Sequence, residues 1–95
     1  MKQMKRERMV NDHIKCADGF TMSVQASAGH YCSPRVTGLG FYNTYEVGYP
    51  SDVEPLLMPY AEDEKQPTGT VYAYVPAQVI ADVIAKHGYV IGADQ

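Results

Sequence analysis

Two histidines and two cysteines come nearest to a chemical site in this 95-residue chain. His13 precedes Cys16 by three residues, and His30 precedes Cys32 by two. Four such ligands suit tetrahedral zinc in kind. On a regular strand, however, His13 and Cys16 would point to opposite faces, because an odd number of steps separates them. We therefore predict no metal and no other cofactor. Whether Cys16 and Cys32 are free, bridged or metal-bound depends on geometry that the sequence leaves open.

Nucleophilic catalysis would have to use Cys32 or Ser33, with His30 as the nearby base. The sequence contains no recognisable oxyanion hole, phosphate-binding glycine loop or paired-carboxylate motif to complete such a site. Asp18 and His87 have local explanations, since one lies in a turn and the other at a helix end that favours positive charge. A small hydrolase-like enzyme using Cys32 and His30 is thus only the third hypothesis, and no catalytic residue is predicted.

Charge and tyrosine content favour a binding protein instead. The stretch from residue 36 to 64 has no Lys or Arg, and it carries six acidic residues: Glu46, Asp52, Glu54, Glu62, Asp63 and Glu64. Eight residues are Tyr, among them Tyr45, Tyr49, Tyr72 and Tyr74 at strand spacing. Tyr combines a large contact area with a polar tip, which suits interfaces. We predict that these acidic and tyrosine residues contact a partner with a basic surface. A solvated acidic rim and ordinary β propensity are the alternative explanations.

Residues 28–40 contain three glycines and a proline, and this composition predicts a long loop. Long loops often carry function. The polar side chains of this loop, His30, Tyr31 and Arg35, are further binding candidates. They also support the main alternative function, which is a protein that binds or sequesters a nucleotide signal through this loop and its tyrosines.

Hydrophobic periodicity predicts the elements that position these residues. Asp18-Gly19 between two alternating runs predicts a β-hairpin over residues 9–27. A third strand is predicted over 41–49, and a short fourth over 56–60, which Pro55 and Pro59 would place at a sheet edge. A fifth strand over 70–75 would alternate its side chains, with Tyr72 and Tyr74 on the face opposite the small aliphatic residues.

Pro76 is suited to begin a helix that Gly88 ends. The helix has one apolar stripe formed by Val79, Ile80, Val83 and Ile84. The predicted fold class is therefore α+β: a mainly antiparallel sheet of four to five strands with one C-terminal helix packed on one face. Residues 9–95 are predicted to form a single domain, preceded by a flexible basic extension over residues 1–8.

The chain shows no secretory h-region and no apolar run of membrane-spanning length. We therefore expect a cytoplasmic protein with no membrane association. Direct binding of nucleic acid is not predicted, because the four basic residues of the extension lack interleaved aromatics. A sheet edge without blocking lysines could pair with a second copy, so the sequence leaves monomer and homodimer open.

Several runs together resemble a family of small proteins encoded by bacteriophages and prophages. The runs span residues 15–20, 22–27, 30–35, 45–51, 54–63, 71–76 and 79–88. The resemblance covers roughly residues 9–90 and transfers no catalytic residue. It implies a small accessory protein that acts in the cytoplasm of an infected bacterium, where such proteins often block host machinery. The leading hypothesis is thus a non-enzymatic inhibitor of a host defence complex, a host protein or ribonucleoprotein with a basic surface. Its most specific form is an anti-CRISPR protein.

Overall fold

The computed structural model describes residues 12–94, in which five strands form one antiparallel sheet and one helix packs on it. These elements are β1 (His13–Cys16), β2 (Thr21–Gln25), β3 (Thr44–Gly48), β4 (Val71–Pro76), α1 (Ala77–Lys86) and β5 (Val90–Asp94). The strand order is β4-β3-β2-β1-β5, so α1 joins the two edge strands. The predicted α+β fold is confirmed. The predicted flexible extension, residues 1–8, lies outside the described residues.

The β1–β2 hairpin follows from the Asp-Gly turn, as predicted. Gly19 has a φ of 97°, a conformation that side chains with a Cβ rarely adopt. Asp18 supports the turn, because one of its carboxylate oxygens accepts the backbone N–H of Phe20 at 2.9 Å. The Cys16 N–H donates to the Phe20 carbonyl at 2.8 Å and closes the hairpin.

The predicted fourth strand over residues 56–60 was wrong, because this segment forms turns and a 3-10 helix (Met58–Tyr60). Its backbone N–H groups bond to carbonyls three residues back, for example Leu57 to Glu54 at 2.9 Å. The φ that Pro59 imposes fits such a turn. A five-residue apolar run has no periodicity that separates a strand from a buried turn. Leu57 is fully buried, so the run contributes to the core without joining the sheet.

The predicted alternation of β4 was also wrong, because a β-bulge interrupts it. Tyr45 pairs with Val75 and Val47 with Tyr72, so β4 has one more residue than β3 between these pairs. The extra residue places Tyr72 and Val75 together in the core, both with no exposed surface. Tyr74 lies within the bulge with a φ of 53°.

The core lies between the sheet and α1. It comprises Cys16, Phe20, Met22, Val47, Leu57, Tyr72, Val75, Ile80 and Val83. Ile80 and Val83 are the buried residues of α1, and Val79 and Ile84 pack partly against the same core, which confirms the predicted stripe. Gly88 then turns the chain with a φ of 85°, where a Cβ would lie 3.0 Å from that of Ala17. The chain can therefore enter β5 close beside the first hairpin.

The two edge strands differ in how their outer sides are covered. The outer side of β4 is bonded by the chain itself: Glu62 donates its N–H to the Val71 carbonyl at 3.0 Å, and the Tyr74 N–H donates to Tyr31 at 3.1 Å. Pro55 and Pro59, predicted to protect an edge, lie instead in the turns before β4. Homodimerisation through the other edge stays a prediction. Within residues 12–94 no helix has the length and hydropathy needed to cross a membrane.

Candidate functional site

Four side chains that come from separate parts of the chain form a cluster beside β4. We call this cluster the tyrosine face; it consists of Tyr31, Arg35, Glu46 and Tyr74. The rings of Tyr31 and Tyr74 lie 6.0 Å apart between centroids, tilted by 38°. The Arg35 guanidinium carbon lies 5.4 Å from the centre of the Tyr31 ring, within cation–π range. Glu46 accepts the backbone N–H of Tyr31 at 2.9 Å.

The β4 bulge presents Tyr74 on this face. The bulge lies opposite Glu46, because the register shift falls between Tyr45 and Val47. A positive φ is a genuine outlier for a bulky residue and has to be held by its surroundings. Here the Tyr74 N–H bonds to the Tyr31 carbonyl, and the Tyr74 side chain stays 45% exposed. The bulge thus turns one tyrosine of the strand out of the core and next to a second.

The 28–43 loop, which carries Tyr31 and Arg35, is held by internal hydrogen bonds. Buried Tyr42 donates its hydroxyl to the Val36 carbonyl at 2.6 Å and accepts the Leu39 N–H at 3.2 Å. Beyond this anchor, Val36, Leu39 and Phe41 remain exposed. The loop therefore presents apolar side chains on a fixed backbone, which lowers the ordering cost of binding.

A second cluster lies at the end of α1, where His87 sits between two carboxylates. Its Nδ1 lies 2.6 Å from an Asp18 oxygen, and its Nε2 lies 2.7 Å from a Glu54 oxygen. The imidazole stacks on Phe20 with 4.0 Å between ring centroids. Lys86 donates to the other Glu54 oxygen at 2.8 Å, and that oxygen also accepts the Leu56 N–H. We call Asp18, Glu54, Lys86 and His87 the His87 network.

Hydrogen bonding sets the charge state of this network. Burial opposes ionisation of Glu54, but hydrogen bonds from Lys86, Leu56 and His87 outweigh it and lower the pKa of the Glu54 carboxyl. Burial likewise opposes protonation of His87, whose hydrogen bonds to Glu54 and Asp18 nevertheless raise the pKa of its imidazole. The Phe20 N–H and then His87 lower the pKa of Asp18. The raised pKa favours the imidazolium form, in which His87 joins α1, the first turn and the segment before the 3-10 helix.

An open cleft of about 250 Å³ borders this network. Its lining residues are Asp18, Gly19, Phe20, Ser51, Asp52 and His87. Both ring nitrogens of His87 already contact carboxylates, so neither is available as a general base. The volume is also below the ~300–1,000 Å³ of common small-ligand pockets. None of its lining residues belongs to the 28–40 loop, on which the small-ligand hypothesis rests.

The network predicts that stability depends on pH with a defined sign. The raised pKa of His87 gives stability that is complete below the ordinary value of 6.5 and is lost as pH rises through the folded-state pKa. The lowered pKa values of Asp18 and Glu54 give stability that is lost as pH falls below their ordinary 3.8 and 4.5. We expect maximal stability at pH values between 4.5 and 6.5, measured by urea unfolding.

A matched histidine pair tests this origin of the pH dependence. A neutral imidazole has one N–H, so above the His87 pKa one of its two carboxylates faces a lone pair. His87→Gln does not titrate there, and we expect it to remove most of the stability loss between pH 6.5 and 9. His13→Gln should leave the loss intact. A His87→Gln curve parallel to that of the wild type would contradict the assignment.

The structure corrects two residues of the predicted partner surface. Glu54 has 1% relative exposure and belongs to the His87 network, and Tyr72 is fully buried with its hydroxyl donated to the Pro67 carbonyl at 2.5 Å. Neither can contact a partner. Of the other acidic residues, Glu46 bonds to Tyr31, whereas Asp52 lines the cleft.

The other predicted residues remain at least partly accessible. Tyr45 is half-buried against the core, where its hydroxyl accepts the Tyr42 N–H at 3.2 Å. Tyr49 is exposed at the end of β3. The acidic run Glu62, Asp63 and Glu64 is exposed and begins beside Val71, at the start of β4. Tyr74, near the other end of β4, lies within the tyrosine face.

Cys32 and His30, the residues of the enzyme hypothesis, each bond to Ser27. Cys16 and Cys32 are both free and buried. The Cys32 thiol donates to the Ser27 carbonyl, while His30 Nδ1 lies 2.6 Å from the buried Ser27 hydroxyl. Burial and the nearby Asp18 charge raise the pKa of the Cys16 thiol. Among residues 12–94 no three His, Cys, Asp or Glu side chains are placed to hold a metal ion.

Sequence reasoning missed the His87 network. His87 is 33 positions from Glu54 and 69 from Asp18, and Asp18 and His87 each had a local explanation in the sequence. The one signal was Glu54 itself, a carboxylate directly before the apolar run that begins at Pro55. Comparisons of the chain with protein-family models, curated proteins and solved structures gave no match. The phage-family resemblance therefore stays a prediction, and function has to be argued from the clusters.

Proposed function

We propose that this protein is a non-enzymatic binding module that engages another protein through the tyrosine face. The observation that carries the proposal is Tyr74, an exposed aromatic residue in a left-handed backbone conformation at a β-bulge. Bulges re-aim side chains, and backbone outliers concentrate at functional positions. A regular β4 would satisfy local backbone preference, so the outward Tyr74 is a costly feature that binding would explain.

The composition of the surface supports a protein partner. Tyr and Arg are enriched at interface centres, and both occur here in mutual contact. The same 28–43 loop also carries the exposed apolar side chains Val36, Leu39 and Phe41. Exposed apolar groups of this kind mark interaction sites when they are clustered. The fixed loop and the bulge together provide a preformed surface.

The specific form of the proposal is inhibition of a host defence complex by a phage-encoded protein. It rests on the resemblance described above and on the binding surface, and an anti-CRISPR role is its narrowest version. An inhibitor of this type needs only to occupy the working surface of its target. The captured partner would then be a defence protein or ribonucleoprotein, and excess inhibitor would block its activity.

Tyr74→Asn tests the proposal without adding backbone strain, because Asn tolerates positive φ better than Tyr does. Loss of an aromatic anchor at an interface centre costs about 2 kcal/mol or more, which is roughly a thirtyfold loss of affinity. The full chain is immobilised to capture its partner from bacterial lysate, and the dissociation constant is measured for the purified pair. We expect Tyr74→Asn to lose binding by about this factor.

Tyr89 offers a matched control. It has a φ of 73°, is exposed, and lies just before β5 at the opposite edge of the sheet. Tyr89→Asn should bind as the wild type does. Equal capture by the Tyr74→Asn variant and the wild type would overturn the proposal.

A further inference from the structure

We infer that the tyrosine face takes an arginine or lysine side chain from a basic segment of its partner. This inference rests on the proposed function and identifies the chemistry that the surface recognises. Two aromatic rings beside a carboxylate form a site for a cation, because the π faces and the carboxylate are all negative. Glu46 supplies the carboxylate, held at the Tyr31 backbone and opposite the bulge that carries Tyr74.

The chain itself shows that one of these rings, Tyr31, accepts a guanidinium. Arg35 lies over Tyr31 at 5.4 Å. Tyr74, in contact with Tyr31 and 45% exposed, leaves ring surface open beside this pair. A partner cation on Tyr74 would repeat the arrangement that Arg35 makes on Tyr31. The same position would bring it toward the carboxylate of Glu46.

Long-range charge favours the same class of partner. The chain carries a net charge of −3, and residues 36–64 contain no Lys or Arg. The exposed run Glu62, Asp63 and Glu64 begins beside the start of β4, the strand that presents Tyr74. These charges would attract a basic segment as it approaches, and salt would weaken the attraction. A polyanion such as nucleic acid would be repelled by the same charges.

Replacement of Arg35 distinguishes a cationic ligand from an anionic one, because it should change the affinity in opposite directions. For a cationic ligand, Arg35 is a competing like charge that also covers one side of Tyr31. Its replacement by Gln should therefore tighten binding by about two- to fivefold. For an anionic ligand, Arg35 would be an attractive contact, and the same replacement would weaken binding. If the surface bound its ligand through hydrophobic contact alone, Arg35→Gln would leave the affinity unchanged.

The probe is a short labelled peptide of alternating arginine and glycine, compared with a peptide in which uncharged citrulline replaces arginine. Binding to the full-length protein is followed by fluorescence anisotropy at low salt, and the rings of Tyr31 and Tyr74 are followed by NMR. We expect the arginine peptide to bind and shift both rings, and the citrulline peptide to bind at least about tenfold more weakly.

Variants locate the site. Tyr74→Asn should weaken the arginine peptide by about tenfold. Glu46→Gln, which keeps the acceptor for Tyr31, should weaken it more than Glu64→Gln, which removes an equal charge from the exposed run. Full binding by Tyr74→Asn, or weaker binding by Arg35→Gln, would overturn the inference.

The capture and peptide experiments distinguish failure of the cation site from failure of the proposed function. If the captured partner still depends on Tyr74 while the arginine peptide binds without it, the cation site is wrong and the binding surface stands. If the peptide depends on Tyr74 and Glu46 while capture of the partner does not, the cation site stands and the proposed function is wrong.

Discussion

Val83→Asp is expected to unfold the protein or to lower its unfolding free energy by at least about 3–5 kcal/mol. Val83 has no exposed surface and lies on the α1 stripe within the core between helix and sheet. A carboxylate there has no cationic partner, so it must either remain a buried charge or take up a proton at a similar cost. For a domain of this size, the loss corresponds to about 15–30 °C in melting temperature.

Two further variants keep this prediction testable if Val83→Asp does not fold. Val83→Ala removes only buried methyl groups and should cost about 2 kcal/mol, measured by urea unfolding. Ala81→Asp places the same charge on the exposed side of the same helix. There the loss of unfolding free energy should be close to the difference in helix propensity between Ala and Asp, about 0.5 kcal/mol. Equal stability of the two aspartate variants would show that α1 does not pack as the structure has it.

The parts of the fold that the sequence predicted are those in which local and tertiary preferences agree. Asp18-Gly19 requires a turn whatever the sheet around it does, and its geometry is that of the predicted hairpin. The α1 stripe repeats at helical spacing over a whole amphipathic element, so its buried face was determined before its partner was known. Fold class followed from these two signals and the strand runs between them.

The errors arise where tertiary contacts override a local pattern. The β4 run alternates regularly in sequence, and its pattern does not predict a bulge. Yet Tyr72 must turn inward, where its hydroxyl reaches the Pro67 carbonyl and its ring enters the core. The 56–60 run is too short for periodicity to distinguish a strand from a helical turn. Both errors involve segments whose conformation is fixed by residues that are distant in sequence or belong to another element.

The candidate surface was predicted as residue types but not as an arrangement. Tyr31, Arg35, Glu46 and Tyr74 were all named as binding candidates from composition and loop length. Their grouping depends on the bulge and on the Tyr31–Glu46 contact across 15 positions, which spacing alone does not reveal. Glu54 was wrongly assigned to the surface because its partners Lys86 and His87 lie over thirty positions away, so the sequence does not reveal the contacts that bury it.

Glu54→Ala is expected to be the most damaging change of a charged residue, with a loss of about 2–4 kcal/mol. Glu54 is only 1% exposed, and its carboxylate accepts hydrogen bonds from His87, Lys86 and Leu56 at 2.7–2.9 Å. Its removal leaves the Leu56 N–H without this acceptor and His87 with one carboxylate. Glu54→Gln keeps the size and one acceptor but loses the charge, so it should fall between the wild type and the alanine variant.

The control and the pH profile make the assignment of Glu54 specific. Glu62→Ala removes the same side chain from an exposed position, where the change should stay within about 0.5 kcal/mol. Without Glu54, His87 loses one of the two hydrogen bonds that raise its pKa, so the loss of stability on raising pH should be smaller, and complete at a lower pH, than in the wild type. Urea unfolding of the three variants and the wild type from pH 4 to 9 measures both effects. A Glu54→Ala variant as stable as Glu62→Ala, with the wild-type pH profile, would show that the buried network does not hold α1 to the first turn.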